Sequence, residues 1–332
     1  MTDDAEITAA TLTGRTADVY FIRTQEILRK EGLNPVVTAE VFGSRAGVLC
    51  GLREGLALLR RVLPRDARVE ALHEGDRITA KEVVLRIAAH YDAFGLYETA
   101  LLGTLAHETG WATGAAEVVA AAQGIPVISF GARHVHPEIS ARMDYAAIVG
   151  GCVGCSTPAG ALLTGTEPSG TIPHALVLIF GDTLAATEAF DRHIDPKVGR
   201  VALVDTFHDE AEESVRVATA MGRRLWGVRL DTPSERGRVT PELVREVRAR
   251  LDQAGCSHVK IVVSGGLDAD RIKLLLENKA PVDAFGVGSS ISGAHPIDFT
   301  LDIKAIEGRP IAKRGRIPGP TDNPRLHPVD LG

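Results

Sequence analysis

The sequence predicts an α/β protein, an irregular open barrel of parallel strands preceded by an α+β layer of different rhythm. Three observations predict it. From about residue 125, short β-branched runs alternate with stretches of helical spacing, the pattern of parallel strands joined by right-handed crossovers. About seven such runs occur, fewer than a closed barrel needs, so an open or irregular one is expected. The first hundred residues lack the alternation, and the last twenty-five are rich in proline.

In chain order, residues 17–30 predict a helix with Tyr20, Phe21, Ile22, Ile27 and Leu28 on its apolar face. A strand over 35–42, a helix over 52–63, a strand over 69–72 and the polar turn Glu74-Gly75-Asp76 follow. Residues 97–122 carry Ala, Leu and Thr at helical spacing, with Leu101, Leu105, Val118 and Val119 as core positions and Gly114 as a candidate break. Strands are then predicted over 125–130, 145–149, 174–180, 201–205, 226–230, 259–264 and 283–287. Between the later ones, Leu243, Val247 and Leu251 share a helix face, and Asp268 caps a helix containing Ile272, Leu275 and Leu276. The tail from Gly308, with Pro310, Pro318, Pro320, Pro324 and Pro328, is expected to run extended over the surface. Residues 1–115, joined by 292–332, are read as the N-terminal domain and 116–291 as the barrel.

Composition bounds the function. The 332 residues are 45% hydrophobic and 24% charged, which excludes a disordered chain and leaves room for two domains. A net charge of −6 argues against a nucleic-acid-coating surface while leaving small anionic ligands open. The acidic start, Met1 to Glu6, lacks the order of a secretory signal, and no segment approaches the roughly 20 apolar residues of a membrane span. A cytoplasmic protein with no membrane partner is expected. Four cysteines are too few for a disulfide framework. Cys152-Val153-Gly154-Cys155 has zinc-ligand spacing but lacks a second pair, so these read as structural thiols beside a glycine turn, with no protein cage for a metal.

The chemistry concentrates at the predicted strand ends, where a parallel βα barrel carries its active site. His174 follows Glu167-Pro168-Ser169-Gly170-Thr171-Ile172-Pro173, and Asp205 closes the run from Val201. A carboxylate on one ring nitrogen fixes the tautomer and frees the other nitrogen to react, although a hydrogen-bonded structural histidine would look the same in sequence. Arg229 and Asp231 alternate on one strand and so share a side, fit for a phosphate together with a ribose diol or magnesium, or for a plain salt bridge. Arg133 sits in Gly131-Ala132-Arg133-His134-Val135-His136-Pro137, where it could pair with a carboxylate or diphosphate. Ser264-Gly265-Gly266 and Gly286-Val287-Gly288-Ser289 are adjacent glycine loops whose N–H groups can converge on phosphate oxygens.

These pieces in this order resemble the nicotinate phosphoribosyltransferases of the shorter bacterial and archaeal type. The resemblance covers about residues 15 to 320. It rests on Ala17-Asp18-Val19-Tyr20-Phe21, Glu98-Thr99, Phe130 to Pro137, Glu167 to Ala175, Val204-Asp205-Thr206, Arg229-Leu230-Asp231-Thr232, Ser264-Gly265-Gly266-Leu267 and Phe285-Gly286-Val287-Gly288. It implies a type II phosphoribosyltransferase fold, with an N-terminal α/β sandwich and an irregular barrel, and an active site shared across a homodimer or larger homo-oligomer. By the same resemblance His174 is the histidine phosphorylated from ATP and Asp205 orients it. Arg133 and Thr171 serve the substrates, Tyr20 stacks on the pyridine ring from a neighbouring subunit, Arg229 and Asp231 lie on the ribose phosphate side, and the glycine loops cradle the 5′-phosphate. Many relatives have a second arginine where this chain has His134, and some carry a C-terminal cysteine-rich metal knuckle that it lacks.

The implied reaction transfers phosphoribosyl from 5-phosphoribosyl 1-diphosphate to nicotinate, giving nicotinate mononucleotide and diphosphate in NAD biosynthesis, with ATP and Mg²⁺ as further small-molecule requirements. Asp231 is the protein's candidate magnesium ligand. Quinolinate or nicotinamide as acceptor are the alternatives, and a catalytically retired nucleotide-binding regulator is the alternative outside enzymes.

Overall fold

A computed structural model describes residues 7–332, so the acidic stretch Met1 to Glu6 lies outside the described residues. Its contacts divide the chain into two compact units, Met1–Thr113 with His295–Gly332, and Gly114–Ala294.

The first unit opens with α1 (Ala9–Leu12) and α2 (Val19–Glu31), which ends where Gly32 takes the left-handed φ of 67° that glycine alone adopts freely. Then come β1 (Val36–Gly43), β2 (Gly47–Val48), α3 (Leu52–Val62), β3 (Arg68–Ala71), β4 (Arg77–Ile78), β5 (Val83–His90) and α4 (Tyr91–Phe94). Helix α5 (Glu98–Ala121) runs unbroken through Gly114, against the expected break. A Cβ there would lie 2.7 Å from that of Ala294, so this glycine serves close packing.

The second unit holds β6 (Val127–Ser129), α6 (Ser140–Val149), β7 (Gly154–Cys155), α7 (Pro158–Thr164), α8 (His174–Phe180), α9 (Thr183–His193) and β8 (Arg200–Leu203). It continues through α10 (Glu210–Met221), β9 (Leu225–Leu230), α11 (Pro241–Gln253), β10 (Lys260–Val263), α12 (Ala269–Glu277), β11 (Ala284–Val287) and α13 (Ser289–Ser292). The chain then returns to the first unit with β12 (Phe299–Ile306), β13 (Arg309–Pro310) and β14 (His327–Pro328).

The first unit's main sheet is antiparallel, in the order β13-β12-β1-β5-β3-β14, with Val41 opposite Leu85 on one side and Leu301 on the other. Its core gathers Val41, Leu49, Leu52, Leu85, Ile87 and Phe94. Strands β5 and β12 are additions to the sequence expectation. The tail is extended and mostly exposed, touching the sheet edges through β13 and β14.

The second unit's sheet is parallel throughout, in the order β7-β6-β11-β10-β9-β8. With β7 and β8 left as edges, it is the expected open barrel. Five of the seven predicted strands are present, and the other two are corrected. Residues 145–149 belong to α6 and residues 174–180 form α8. A continuous apolar run does not distinguish a buried strand from a helix. Here Pro173 precedes the first helical residue, and Gly181 closes the helix at φ 72°. Only Val177 of that helix is fully buried, as suits a helix lying across the unit's surface. No helix among the described residues is long and apolar enough to cross a membrane.

Candidate active site

Because the six strands are parallel, their carboxyl ends share one rim. A cavity of about 630 Å³ opens there, lined among others by Phe130, Arg133, Ser156, Thr171, His174, Arg229, Asp231 and both glycine loops. A void of this size suits a small ligand.

His174 is the first residue of α8. Val177, one turn later, packs in a cluster with Leu203 at the end of β8, two residues before Asp205. The packing brings His174 Nε2 to 3.0 Å from Asp205 Oδ2, leaving Nδ1 on the side of Asp231, 4.0 Å from its Oδ2. The Asp205 side chain is buried, and burial raises its carboxyl from the ordinary value, opposed by the hydrogen bond and charge of His174 and reinforced by Asp231. The pairing therefore favours the charged carboxylate that a positive imidazole requires.

Arg229 Nη2 lies 3.9 Å from Asp231 Oδ2 and 3.5 Å from the Ile172 carbonyl, with its guanidinium 6.0 Å from the Phe130 ring centre. Burial lowers its pKa, Arg133 adds to that, and Asp231 and Asp205 oppose it. Ser264 donates from its hydroxyl to Asp231 Oδ1 at 2.7 Å, so its side chain holds the carboxylate while its loop faces the cavity. Gly265 and Gly266 have φ of 91° and 64°, conformations open to glycine. Among the described residues, the N–H groups of Gly265, Gly266 and Leu267 donate to no backbone acceptor, nor do those of Gly288, Ser289 and Ser290. Asp268 caps α12 through the Arg271 N–H at 2.8 Å, so a helix N-terminus backs the first loop.

Several buried polar atoms at this rim have no partner: Asp205 Oδ1, Thr206 Oγ1, Arg229 Nε and Ser290 Oγ. Buried polar groups are normally satisfied, so their concentration here marks a ligand site. Carboxylate, guanidinium and hydroxyl together fit a cation-bearing polyanion.

Of the residues singled out in the sequence, His174, Arg133, Thr171, Arg229, Asp231, Ser264, Gly265, Gly266, Gly286, Gly288 and Ser289 line this cavity, and Asp205 stands behind His174. Tyr20 belongs to the other unit. It is exposed on α2, tilted against Phe21, with its hydroxyl 3.3 Å from Asp18 Oδ2. Supports unseen in the sequence include buried Glu210, which accepts from the Thr232 hydroxyl at 2.8 Å just beyond Asp231. Asp144 accepts from the Ser129 hydroxyl at 3.0 Å and the Thr157 hydroxyl at 2.8 Å, tying β6 to the segment after β7. A carboxylate inside the otherwise apolar stretch Met143 to Val149 was the available signal.

All four cysteines are free and buried. Burial pushes the Cys152 thiol up to about 12 and Cys155 up to about 11, the state of inert structural thiols. In the first unit Cys50, Glu74 and Glu108 bring ligand-type atoms within 4.8 Å of one another. Both Glu74 oxygens already accept from backbone N–H groups, at 2.8 Å from Gly51 and 3.0 Å from Arg53.

An open parallel barrel in one unit and an antiparallel sheet in the other make the type II phosphoribosyltransferase fold. The quinolinate phosphoribosyltransferase N-terminal domain matches residues 18–109 and the C-terminal domain residues 111–302, and the chain belongs to that family. A nicotinate phosphoribosyltransferase of Mycobacterium tuberculosis, pncB2, is 33% identical over 246 residues, 72% of this chain and 52% of the relative. One from Bacillus subtilis is 30% identical over 229 residues, 68% of this chain and 46% of the relative. This chain thus spans about half the length of those curated relatives. Among solved structures, nicotinate-nucleotide pyrophosphorylase from Pyrococcus furiosus aligns with a TM-score of 0.89 at 43% identity, over 99% of this chain and 86% of that one. Human nicotinic acid phosphoribosyltransferase, at 18% identity and a TM-score of 0.74 over 92% of this chain and 77% of that one, shares the fold.

Proposed function

We propose that this protein transfers the phosphoribosyl group of 5-phosphoribosyl 1-diphosphate to nicotinate, coupled to ATP through phosphorylation of His174, in cytoplasmic NAD biosynthesis. The observation that carries the reading is the His174 ring set between Asp205 at 3.0 Å and Asp231 at 4.0 Å inside the glycine-loop cavity. The pyridine nitrogen forms a bond to the anomeric carbon as the bond from that carbon to the diphosphate oxygen breaks, and diphosphate leaves. Positive charge develops on the sugar and negative charge on the leaving group. Arg133 stabilises the latter, while Arg229 and Asp231 stand on the ribose phosphate side, where Asp231 tolerates the former.

In the coupling step, Nδ1 of His174 attacks the γ-phosphorus of ATP and ADP leaves. Asp205 stabilises the positive imidazole through Nε2. Hydrolysis of the phosphohistidine then draws phosphoribosyl transfer forward. Magnesium, when bound, neutralises diphosphate charge. The Asp231 carboxylate would hold it, with the unpartnered Asp205 Oδ1 as a further oxygen donor at the rim. Assembly belongs to the reading as well. Val19, Tyr20, Ile22 and Ile27 expose apolar surface on α2, suited to a homodimer in which Tyr20 completes the partner's acceptor site.

Quinolinate is the second reading, favoured by the name of the matching family. Purified protein with 5-phosphoribosyl 1-diphosphate and nicotinate, nicotinamide or quinolinate, each with and without ATP, tests the proposal. Nicotinate turnover stimulated by ATP is expected. Carbon dioxide release with quinolinate, unaffected by ATP, would replace it with the second reading.

A further inference from the structure

Each glycine loop of the cavity has a nitrogen-bearing side chain packed against it. Over the second loop, a Cβ on Gly288 would lie 3.1 Å from His134 Cε1, and that ring is held by Ser292 Oγ, 3.3 Å from Nδ1. Over the first, a Cβ on Gly266 would coincide with Arg238 Nη1, so the guanidinium rests on the glycine's α-carbon. Arg238 follows β9 and the turn Pro233 to Gly237, its own N–H donating to the Pro233 carbonyl at 3.1 Å. Its backbone is left-handed at φ 65°, a conformation uncommon for a non-glycine residue. The turn therefore aims this side chain at the loop. Among the described residues its guanidinium makes no hydrogen bond or close ion pair, and its charge is felt by exposed Glu235 on the preceding turn.

The glycine loops offer backbone dipoles but no full charge, whereas a phosphate monoester carries nearly two negative charges at neutral pH. The cavity's two lining arginines lie close enough together to influence one another, and Arg229 is turned toward Asp231. Arg238 is the cation packed on the α-carbon side of Gly266, whose N–H, like that of Gly265, donates to no backbone acceptor among the described residues.

We infer that Arg238 is the side-chain cation of the cradle that takes the sugar 5′-phosphate. This rests on the reading that these loops hold a phosphoribosyl group, and it adds a residue outside the cavity's own lining. The guanidinium turns from the Gly266 α-carbon onto the phosphate oxygens, with no covalent step.

Calorimetric titration with ribose 5-phosphate, which has the monoester and no diphosphate, and separately with inorganic diphosphate, tests it. Arg238→Asn keeps a side chain that tolerates left-handed backbone and should weaken ribose 5-phosphate binding about tenfold or more while changing diphosphate binding less than about twofold. Arg238→Lys should recover part of the loss. In turnover, the KM for 5-phosphoribosyl 1-diphosphate should rise with kcat nearly held. Equal loss for both ligands, an unchanged ribose 5-phosphate affinity in a folded variant, or a wild-type protein that does not bind ribose 5-phosphate would each overturn the assignment. The titrations need no acceptor and no ATP, so a wrong acceptor leaves their result unaffected.

Discussion

His174 Nε2 and Asp205 Oδ2 stand 3.0 Å apart across 31 residues of chain, joined because Val177 of α8 and Leu203 of β8 share one apolar cluster. The bond occupies Nε2 and leaves Nδ1 as the open nitrogen. Label from γ-labelled ATP should therefore appear on His174, stable to base and labile to acid, and disappear in His174→Ala. Asp205→Asn should slow labelling by about a hundredfold or more, since the imidazole loses its orienting charge. An unlabelled wild type, with ATP stimulation unchanged in His174→Ala, would remove His174 from the mechanism.

Ser264 holds Asp231 by a 2.7 Å hydrogen bond to Oδ1, with Oδ2 directed toward His174 and Arg229. Hydrogen bonds to charged groups contribute about 1.5–3 kcal/mol. Ser264→Ala should lower kcat/KM for 5-phosphoribosyl 1-diphosphate by roughly ten- to a hundredfold and raise the magnesium concentration needed for half-maximal rate. A variant with wild-type magnesium dependence would show that Asp231 needs no such support.

Gly286 faces the Phe130 ring so closely that an added Cβ would enter the ring. Gly286→Ala should cost about 1–3 kcal/mol in urea unfolding, the range for overpacking a filled interior. Phe130→Leu in the same chain should return part of it. Additive losses in the double-mutant cycle would mean that the two side chains do not meet.

Glu98 has its carboxyl pushed up to about 7, by burial first and then by Asp302 and Asp18. Between its ordinary value of 4.5 and about 7 the folded state binds more protons than the unfolded one. Its contribution to stability is thus fully present below the lower value and is lost as pH rises through the upper. Melting temperatures from pH 5 to pH 8 should fall more steeply for wild type than for Glu98→Gln. Parallel profiles would place the titration elsewhere.

The open parallel barrel, the N-terminal α+β domain and most of the rim were legible in the sequence, because period and local chemistry act over a few residues. Strand ends bearing Arg229-Leu230-Asp231 and Ser264-Gly265-Gly266 declare themselves by alternation and by glycine. Residues 174–180 did not, since an unbroken apolar run has no period, and only packing around Val177 decided for a helix.

Tertiary structure alone decided which nitrogen of His174 meets Asp205, that Ser264 turns its hydroxyl to Asp231, and that Arg238 rests over Gly266. Each of these joins residues about 30 positions apart, where the sequence supplies the groups but not their separation. The distance between them is set by how whole helices settle on the sheet, a sum over many weak contacts that no local pattern encodes.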